Sequence, residues 1–125
     1  MATLNMLGPY PLTLEDIDLR IPDKRIGNYA YGHINERGAF VVQYVGRSDS
    51  DLKTRIQHGI GIYHLYKYSL AASVRDAFEK ECRNYHDFGG SVKLDNKIHP
   101  DKPRGEDYTC PVEGCEATGE KCSIL

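Results

Sequence analysis

Two strand-like segments, residues 26–34 and 39–45, constrain the fold more than any other feature of the sequence. They are separated by residues 35–38, a short polar stretch that ends in glycine, as hairpin loops commonly do. The second segment is rich in the β-branched and aromatic residues that strands favour. We therefore predict an antiparallel hairpin that brings Tyr29 of the first strand close to Tyr44 of the second.

The polar stretch after this hairpin predicts a helix. Ser48 or Ser50 can cap its N-terminus, and the neighbouring acidic residues favour the first helical turn. Arg55 and His58 lie three residues apart and therefore share one face of the helix. That face begins next to the end of the second strand, so we expect Arg55 to reach the region near Tyr44.

A third strand and a second helix follow. Residues 65–70 alternate in the manner of a strand, and residues 74–86 have the pattern of a helix. Glu81 shares one stripe of that helix with Ala77 and Tyr85, so its carboxylate is expected to be partly buried. A buried carboxylate requires a metal ion or a basic partner, which makes Glu81 a candidate metal ligand.

Together these elements predict one α/β domain of the α+β type over residues 25–98, with a small three-stranded antiparallel sheet and two or three helices. Residues 1–24 are interpreted as an irregular lead-in with a short helix at 14–19. Residues 99–125 are interpreted as an extended cysteine-containing tail, because proline and glycine are frequent there. No apolar stretch is long enough to span a membrane, and the start lacks a secretory signal pattern. We therefore expect a cytoplasmic protein, or a nuclear one in a eukaryotic cell.

Five short motifs occur in an order that resembles the GIY-YIG nuclease superfamily. They are Gly27-Asn28-Tyr29, Tyr44-Val45-Gly46, Arg55 on the first predicted helix, Glu81 on the second, and Asn96. Each motif is weak alone, and the ordered set is more specific. Asn28 departs from the family, which usually has an apolar residue there. His58 follows Arg55 by three residues, where the family's histidine often follows by four. Gly61-Ile62-Tyr63 spells the first motif of the family, but no copy of the second motif follows it.

The resemblance implies a metal-dependent endonuclease that hydrolyses phosphodiester bonds in DNA. Its metal would be Mg²⁺ (or Mn²⁺), held by Glu81 together with waters and a phosphate oxygen. Tyr29 would accept the proton of the attacking water, and nearby positive charge must then lower its phenol pKa from ~10. Arg55 would hold the phosphate, Tyr44 would orient a water or a phosphate oxygen, and His58 would lie on the same helix face as Arg55.

Four further residues are candidates for contact with the substrate, namely Gly46, Arg47, Lys53 and Asn96. Glycine at the end of a strand permits close approach of a ligand or another backbone. Asn96 is expected to fix the backbone or a ligand rather than to take part in chemistry. Glu79 is the main rival of Glu81 as metal ligand, although it lies on another face of the same helix.

The charge distribution favours a phosphate ligand only mildly. The net charge is −2, which by itself does not indicate nucleic-acid binding. Residues 20–75, however, carry nine Lys or Arg against four Asp or Glu, so the proposed catalytic half is the basic half. A solvated surface of mixed charge remains an alternative interpretation of this pattern.

The four cysteines suggest reduced thiols and a metal site. Cys110 and Cys115 are separated by four residues, within the range for half of a zinc site, and His99 and Cys122 would complete it. Cys82 lies apart, on the second predicted helix. The C-terminal residues 122–125 also fit a prenylation motif, although no polybasic run precedes them.

Two other functions are compatible with the sequence. One is a nucleic-acid-binding module that keeps the phosphate contacts of the family without cleaving. The other is a structural or interaction protein stabilised by Zn²⁺ in the cysteine tail. A compact domain would obtain substrate preference from its own loops or from a targeting partner protein.

Overall fold

The protein, described by a computed structural model over residues 3–97, 99–101 and 108–112, forms four strands and four helices in this region. In chain order the elements are β1 (Leu7–Pro11), α1 (Leu14–Arg20), β2 (Gly27–Ile34), β3 (Phe40–Ser48), α2 (Leu52–Gln57), β4 (Leu65–Leu70), α3 (Val74–Asp87) and α4 (Gly90–Lys93). No helix in this region has the length and apolarity needed to cross a membrane.

The strands form one antiparallel sheet in the order β1-β4-β2-β3, so the predicted α+β class is confirmed. The predicted hairpin is β2–β3, whose register sets Tyr31 opposite Tyr44 and Tyr29 opposite Gly46. The pairing is displaced once, after Tyr31, as in a β-bulge. Because β2 is central, its side chains meet helices on both faces of the sheet.

The sheet has four strands rather than the three expected, because β1 lies inside the segment interpreted as an irregular lead-in. Pro9 and Pro11 led to that interpretation, but β1 pairs only with β4 at one edge, where proline removes no ladder hydrogen bond on the open side. The short helix predicted at 14–19 is α1, and Thr13 caps it by accepting a hydrogen bond from the Asp16 N–H.

One face of the sheet packs on α1 and α2, and the opposite face packs on α3. In the first interface, Tyr29 and Tyr31, which lie on the same face of β2, pack in one cluster with Leu52 and Ile56 of α2. The second begins with the intervening residue Ala30, which packs in a cluster with Val45 of β3 and Tyr85 of α3. A strand with apolar contacts on both faces is thereby fixed in register, since a one-residue slip would exchange the two faces.

The sequence predicted that α2 begins after Ser48 or Ser50, and the structure places the cap slightly later. Asp51 is the N-cap residue and accepts a hydrogen bond from the Thr54 N–H. Ser48 instead stabilises the preceding turn, because its hydroxyl accepts hydrogen bonds from the backbone N–H groups of Ser50 and Asp51. The second predicted helix is α3, which extends one residue beyond His86.

Asn96 closes the open edge of β3. Its Nδ2 donates to the Val45 carbonyl at 2.7 Å and its Oδ1 accepts from the Val45 N–H at 2.9 Å. The Asp95 N–H donates to the Gln43 carbonyl beside it. The side chain therefore takes the place of a neighbouring strand along an edge that would otherwise expose unpaired backbone groups.

We predict that Asn96→Ala lowers the free energy of unfolding by about 2 kcal/mol, because both backbone polar groups of buried Val45 lose their partner. Urea denaturation followed by circular dichroism measures the change. Lys97→Ala, a truncation at the exposed neighbouring residue, is the matched control and should change the stability little. Equal losses in the two variants would contradict this role for Asn96.

Candidate active site

A cavity of about 290 Å³ opens where β2 and β3 meet α2 and α3. Six of the residues singled out in the sequence lie along its wall. They are Tyr29, Tyr44, Gly46, Arg47, Arg55 and Glu81. They come from four different elements, so only the folded chain brings them together.

The tyrosines form a contiguous aromatic cluster on one side of the cavity. The rings of Tyr29 and Tyr44 are stacked with centroids 6.4 Å apart, and Tyr31 contacts both. Tyr63, from the literal Gly-Ile-Tyr sequence, stacks on Tyr31 with centroids 4.8 Å apart. The Tyr63 hydroxyl donates a hydrogen bond to Asp95 at 2.7 Å, so its polar group is already used within the fold.

Only glycine fits at position 46, because the Tyr29 ring occupies the space that a side chain would need. A Cβ atom at position 46 would overlap the ring and hydroxyl atoms of Tyr29. The glycine of the second motif is therefore explained by close packing against the tyrosine of the first. It contributes to the site by letting Tyr29 cross the neighbouring strand.

The surroundings of Tyr29 favour its neutral phenol over the charged phenolate. Burial raises its pKa, and the neighbouring Tyr31, Tyr44 and Glu81 raise it further, whereas Arg55 lowers it. Tyr44 is half-buried, and burial raises its pKa as well. The positive charge that a basic Tyr29 needs is thus supplied only in part by the described side chains.

Glu81 and Arg47 form a largely buried ion pair in the wall of the cavity. Arg47 Nη1 donates to Glu81 Oε1 at 2.5 Å, and Arg47 Nε donates to Asp49 at 2.8 Å. Burial raises the pKa of Glu81 to about 7, although the charge and hydrogen bond of Arg47 lower it. The carboxylate is therefore held at the border between its charged and neutral forms at neutral pH.

The second carboxylate oxygen of Glu81 is available to a ligand. Among the described residues none donates a hydrogen bond to Oε2, and Glu81 lines the cavity. Asp49 and Asp101 add two more carboxylates to the cavity wall. Carboxylate oxygens are the protein ligands that hard divalent cations prefer, and Mg²⁺ is commonly held by one or two carboxylates with waters. Glu81 therefore suits Mg²⁺ or Mn²⁺ as a ligand, whereas both oxygens of Asp49 already accept hydrogen bonds from Arg47.

Arg55 is the cation of this cavity that is not already neutralised. It is exposed on α2, and its guanidinium forms no ion pair with any part of the chain that the structure describes. Arg47, in contrast, already has two carboxylate partners. An anion that enters the cavity would therefore meet Arg55 first.

Three sequence candidates lie outside this cavity. His58 ends α2 and lines an adjacent cavity of about 270 Å³, which shares Tyr29, Tyr44 and Arg55 with the first. Lys53 does not line this cavity, and its ammonium pairs with Asp23 at 2.9 Å. As described above, Asn96 uses its amide on the Val45 backbone, which is one of the two roles expected for it, and its role as a substrate contact stays a prediction.

Glu79 is not a rival of Glu81 in this structure. Its carboxylate pairs with Arg75 at 3.1 Å and with Arg83 at 3.8 Å, on a flank of α3 away from the cavity. These partners lie four residues before and after Glu79, an ordinary arrangement on a helix surface. The choice of Glu81, made from helix periodicity, agrees with this geometry.

Asp49 and Asp101 also line the cavity and were not predicted from the sequence. Asp49 follows the last residue of β3, and its position just beyond a motif-bearing strand was a usable signal. Asp101 lies in the segment interpreted as a tail, and no local pattern indicates that this segment returns to α3. Its placement depends on tertiary structure alone.

A second group of side chains could hold a metal ion. The ligand atoms of Cys82, His99 and Cys110 all lie within 4.8 Å of one another, and the three residues are buried. His99 and Cys110 were expected to bind a metal together, whereas Cys82 was not placed in that group. Two other predicted zinc ligands, Cys115 and Cys122, lie outside the described residues.

No protein-family model, no curated protein and no solved structure matches this chain significantly. The geometry of the cavity and the chemistry of its side chains therefore carry the functional argument.

We predict that Arg47→Met raises the pKa of Glu81 above its value of about 7 in the native protein. Arg47 stabilises the charged carboxylate, so its loss shifts the balance towards the neutral acid. Carbon-13 NMR titration of the Glu81 carboxyl in chelator-treated protein measures the shift. Arg75→Met, which removes a partner of Glu79 instead, is the control. An unchanged or lower Glu81 pKa in Arg47→Met would contradict the pairing.

Proposed function

We propose that this protein is a metal-dependent endonuclease of the GIY-YIG type, which hydrolyses phosphodiester bonds in DNA. The observation that carries the proposal is the convergence of Tyr29, Tyr44, Arg55 and Glu81 on one cavity. Their order along the chain is the order of the family motifs they resemble. A tyrosine pair, an exposed arginine and a buried carboxylate are groups suited to such hydrolysis.

In this proposal Glu81 would hold a single Mg²⁺ or Mn²⁺ ion through Oε2, the oxygen that Arg47 does not contact. When bound, such an ion polarises the phosphate and stabilises the leaving oxygen. Asp101 also lines this cavity and would help to fix coordinated waters, whereas both oxygens of Asp49 already accept hydrogen bonds from Arg47. Because Arg47 already occupies Oε1 of Glu81, it competes with a cation for the charge of this carboxylate.

Arg55 binds the non-bridging oxygens of the scissile phosphate. Its planar guanidinium offers two parallel hydrogen bonds to a phosphate, and its exposure on α2 leaves it accessible to a duplex or a single strand. Arg47 provides a second contact if the substrate draws it away from Glu81. The basic excess over residues 20–75 supports the approach of a polyanion.

Tyr29 positions the attacking water and, once it is deprotonated to the phenolate, accepts the proton of that water. Burial works against this role because it raises the phenol pKa, and Arg55 works in favour of it. Positive charge brought to the cavity would lower the pKa further. Tyr44 lies beside Tyr29 with its ring stacked and only half-buried, which suits a group that orients a water or a phosphate oxygen.

The second candidate function is a nucleic-acid-binding module of the same fold that does not cleave. Two observations favour it, namely the raised pKa of Tyr29 and the ion pair that Arg47 forms with Glu81. Such a module would keep the phosphate contact of Arg55. It would bind DNA with an affinity that falls as salt increases, and it would not need a divalent metal.

We predict metal-dependent cleavage whose rate falls at least about a hundredfold in Tyr29→Phe, the lower range for loss of a general base. A fall of similar size is expected in Glu81→Gln, because this change removes the charge of the proposed metal ligand. The assay follows linear, supercoiled and branched DNA with Mg²⁺, with Mn²⁺ or with EDTA. Two matched controls lie outside the cavity and should retain the native rate, namely Tyr10→Phe on β1 and Glu79→Gln on α3.

The pattern of outcomes separates the two candidate functions. Cleavage that survives both substitutions would contradict the proposed centre. If no substrate is cut but salt-sensitive binding to DNA persists without metal, the chain is the binding module.

A further inference from the structure

Cys82, His99 and Cys110 come from three separate stretches of the chain and meet in the interior. Their exposed fractions are 0%, 2% and 7%, and their ligand atoms lie within 4.8 Å of one another. Only Cys82 belongs to a regular element, α3. We propose that these three side chains bind a structural zinc ion, which fixes the segments 99–101 and 108–112 to α3.

The hydrogen bond of His99 orients its ring as in a metal ligand. Nδ1 lies 2.9 Å from the carbonyl oxygen of Pro100. A carbonyl oxygen only accepts, so Nδ1 must carry the hydrogen, and the neutral ring then has its lone pair on Nε2. A backbone carbonyl on the opposite ring nitrogen is the usual support of a metal-bound histidine, because it fixes both tautomer and orientation.

Two thiols and an imidazole favour zinc over the cation proposed for the catalytic cavity. Thiolate and imidazole are the ligands of structural zinc, whereas Mg²⁺ prefers oxygen. Zn²⁺ with two thiolates and a neutral histidine has no net charge. Such a centre suits its surroundings, since Cys82 and Cys110 pack with Phe78, Tyr108 and Val112.

A structural zinc site has four ligands, and the chain offers two kinds of candidate for the fourth. Cys115 follows Cys110 with four residues between them, a spacing within the range for two ligands of one zinc, and it lies outside the described residues. His86 is four residues after Cys82 on α3, so the two side chains share one face of the helix. Its Nε2 is buried without a hydrogen-bond partner among the described residues, and its ring centroid is 5.2 Å from that of His99.

This site would also stabilise one wall of the catalytic cavity. Cys82 directly follows Glu81 on α3, and Asp101 lies two residues after His99 and lines the cavity with Glu81. A zinc ion would therefore hold Asp101 on the same side as Glu81. The zinc site itself does not depend on the proposed nuclease activity, since neither Glu81 nor a tyrosine is among its ligands.

The test begins with the metal content of the full chain, purified without chelator and measured by inductively coupled plasma mass spectrometry. We expect one zinc ion per chain, and loss of that zinc in Cys82→Ser, His99→Asn and Cys110→Ser. Glu81→Gln, next to Cys82 but outside the ligand set, should retain the zinc. His64→Asn, a histidine at an exposed site elsewhere, should also retain it.

A second measurement keeps the test valid if a ligand variant fails to fold. The native chain, freed of metal and titrated with cobalt(II), should show thiolate-to-cobalt charge-transfer absorption and the intense visible bands of a four-coordinate site. Zinc should displace the cobalt and raise the melting temperature of the chelator-treated protein. Weaker zinc binding in Cys115→Ser would assign the fourth ligand to Cys115, and weaker binding in His86→Gln would assign it to His86.

Three results would overturn the proposal. The first is protein without zinc that also shows no thiolate-to-cobalt absorption. The second is an intact mass lower by two thiol hydrogens, with a disulfide mapped to Cys82 and Cys110. The third is zinc that remains in all three ligand variants but is lost in Glu81→Gln, which would place the metal in the catalytic cavity instead.

Discussion

The register of the β2–β3 hairpin is the constraint on which the cavity depends. It sets Tyr29 opposite Gly46, and the tyrosine ring fills the space that a side chain on the neighbouring strand would take. Tyr29 thereby reaches the stacked position beside Tyr44. A slip of one residue would move every side chain of the strand to the other face and would place a bulky neighbour against the ring. The two motifs are therefore two halves of one packing contact, in addition to any chemical role.

The Glu81 carboxylate in the cavity wall carries a charge that is costly to bury. Glu81 is nearly inaccessible, and Arg47 compensates by pairing with it while also bridging to Asp49. Removing one partner of such a pair leaves an uncompensated buried charge, which costs far more than an exposed pair contributes. Within the described part of the chain, the same arrangement leaves one oxygen of Glu81 without a hydrogen-bond donor and Arg55 without an ion pair, and both residues line the cavity. Stability and the proposed chemistry thus rest on the same side chains.

Much of this architecture could be predicted from sequence because it is encoded by local periodicity. The hairpin, the strand at 65–70 and the long helix follow from alternation and helical spacing, which also predicted that Tyr29, Tyr44 and Arg55 lie close together. The position of Glu81 beside them was implied only by the family resemblance. What the sequence could not reveal depends on long-range contacts. Two prolines made the edge strand β1 hard to predict, and Lys53 pairs with Asp18 and Asp23, which are distant in sequence. Asp101 lies in the cavity wall with Glu81, and Cys82 lies beside His99 and Cys110, because residues 99–101 and 108–112 pack near α3.

The most direct test of a single catalytic unit is the single-turnover cleavage rate of the Tyr29→Phe, Glu81→Gln double variant against the two single variants. When two residues act together in one step, replacing either one removes nearly all of the rate enhancement that the pair provides, and replacing the second adds little. We therefore expect the double variant to cleave about as slowly as the slower single variant. Losses that multiply would mean that Tyr29 and Glu81 contribute independently, which would contradict one shared centre in this cavity.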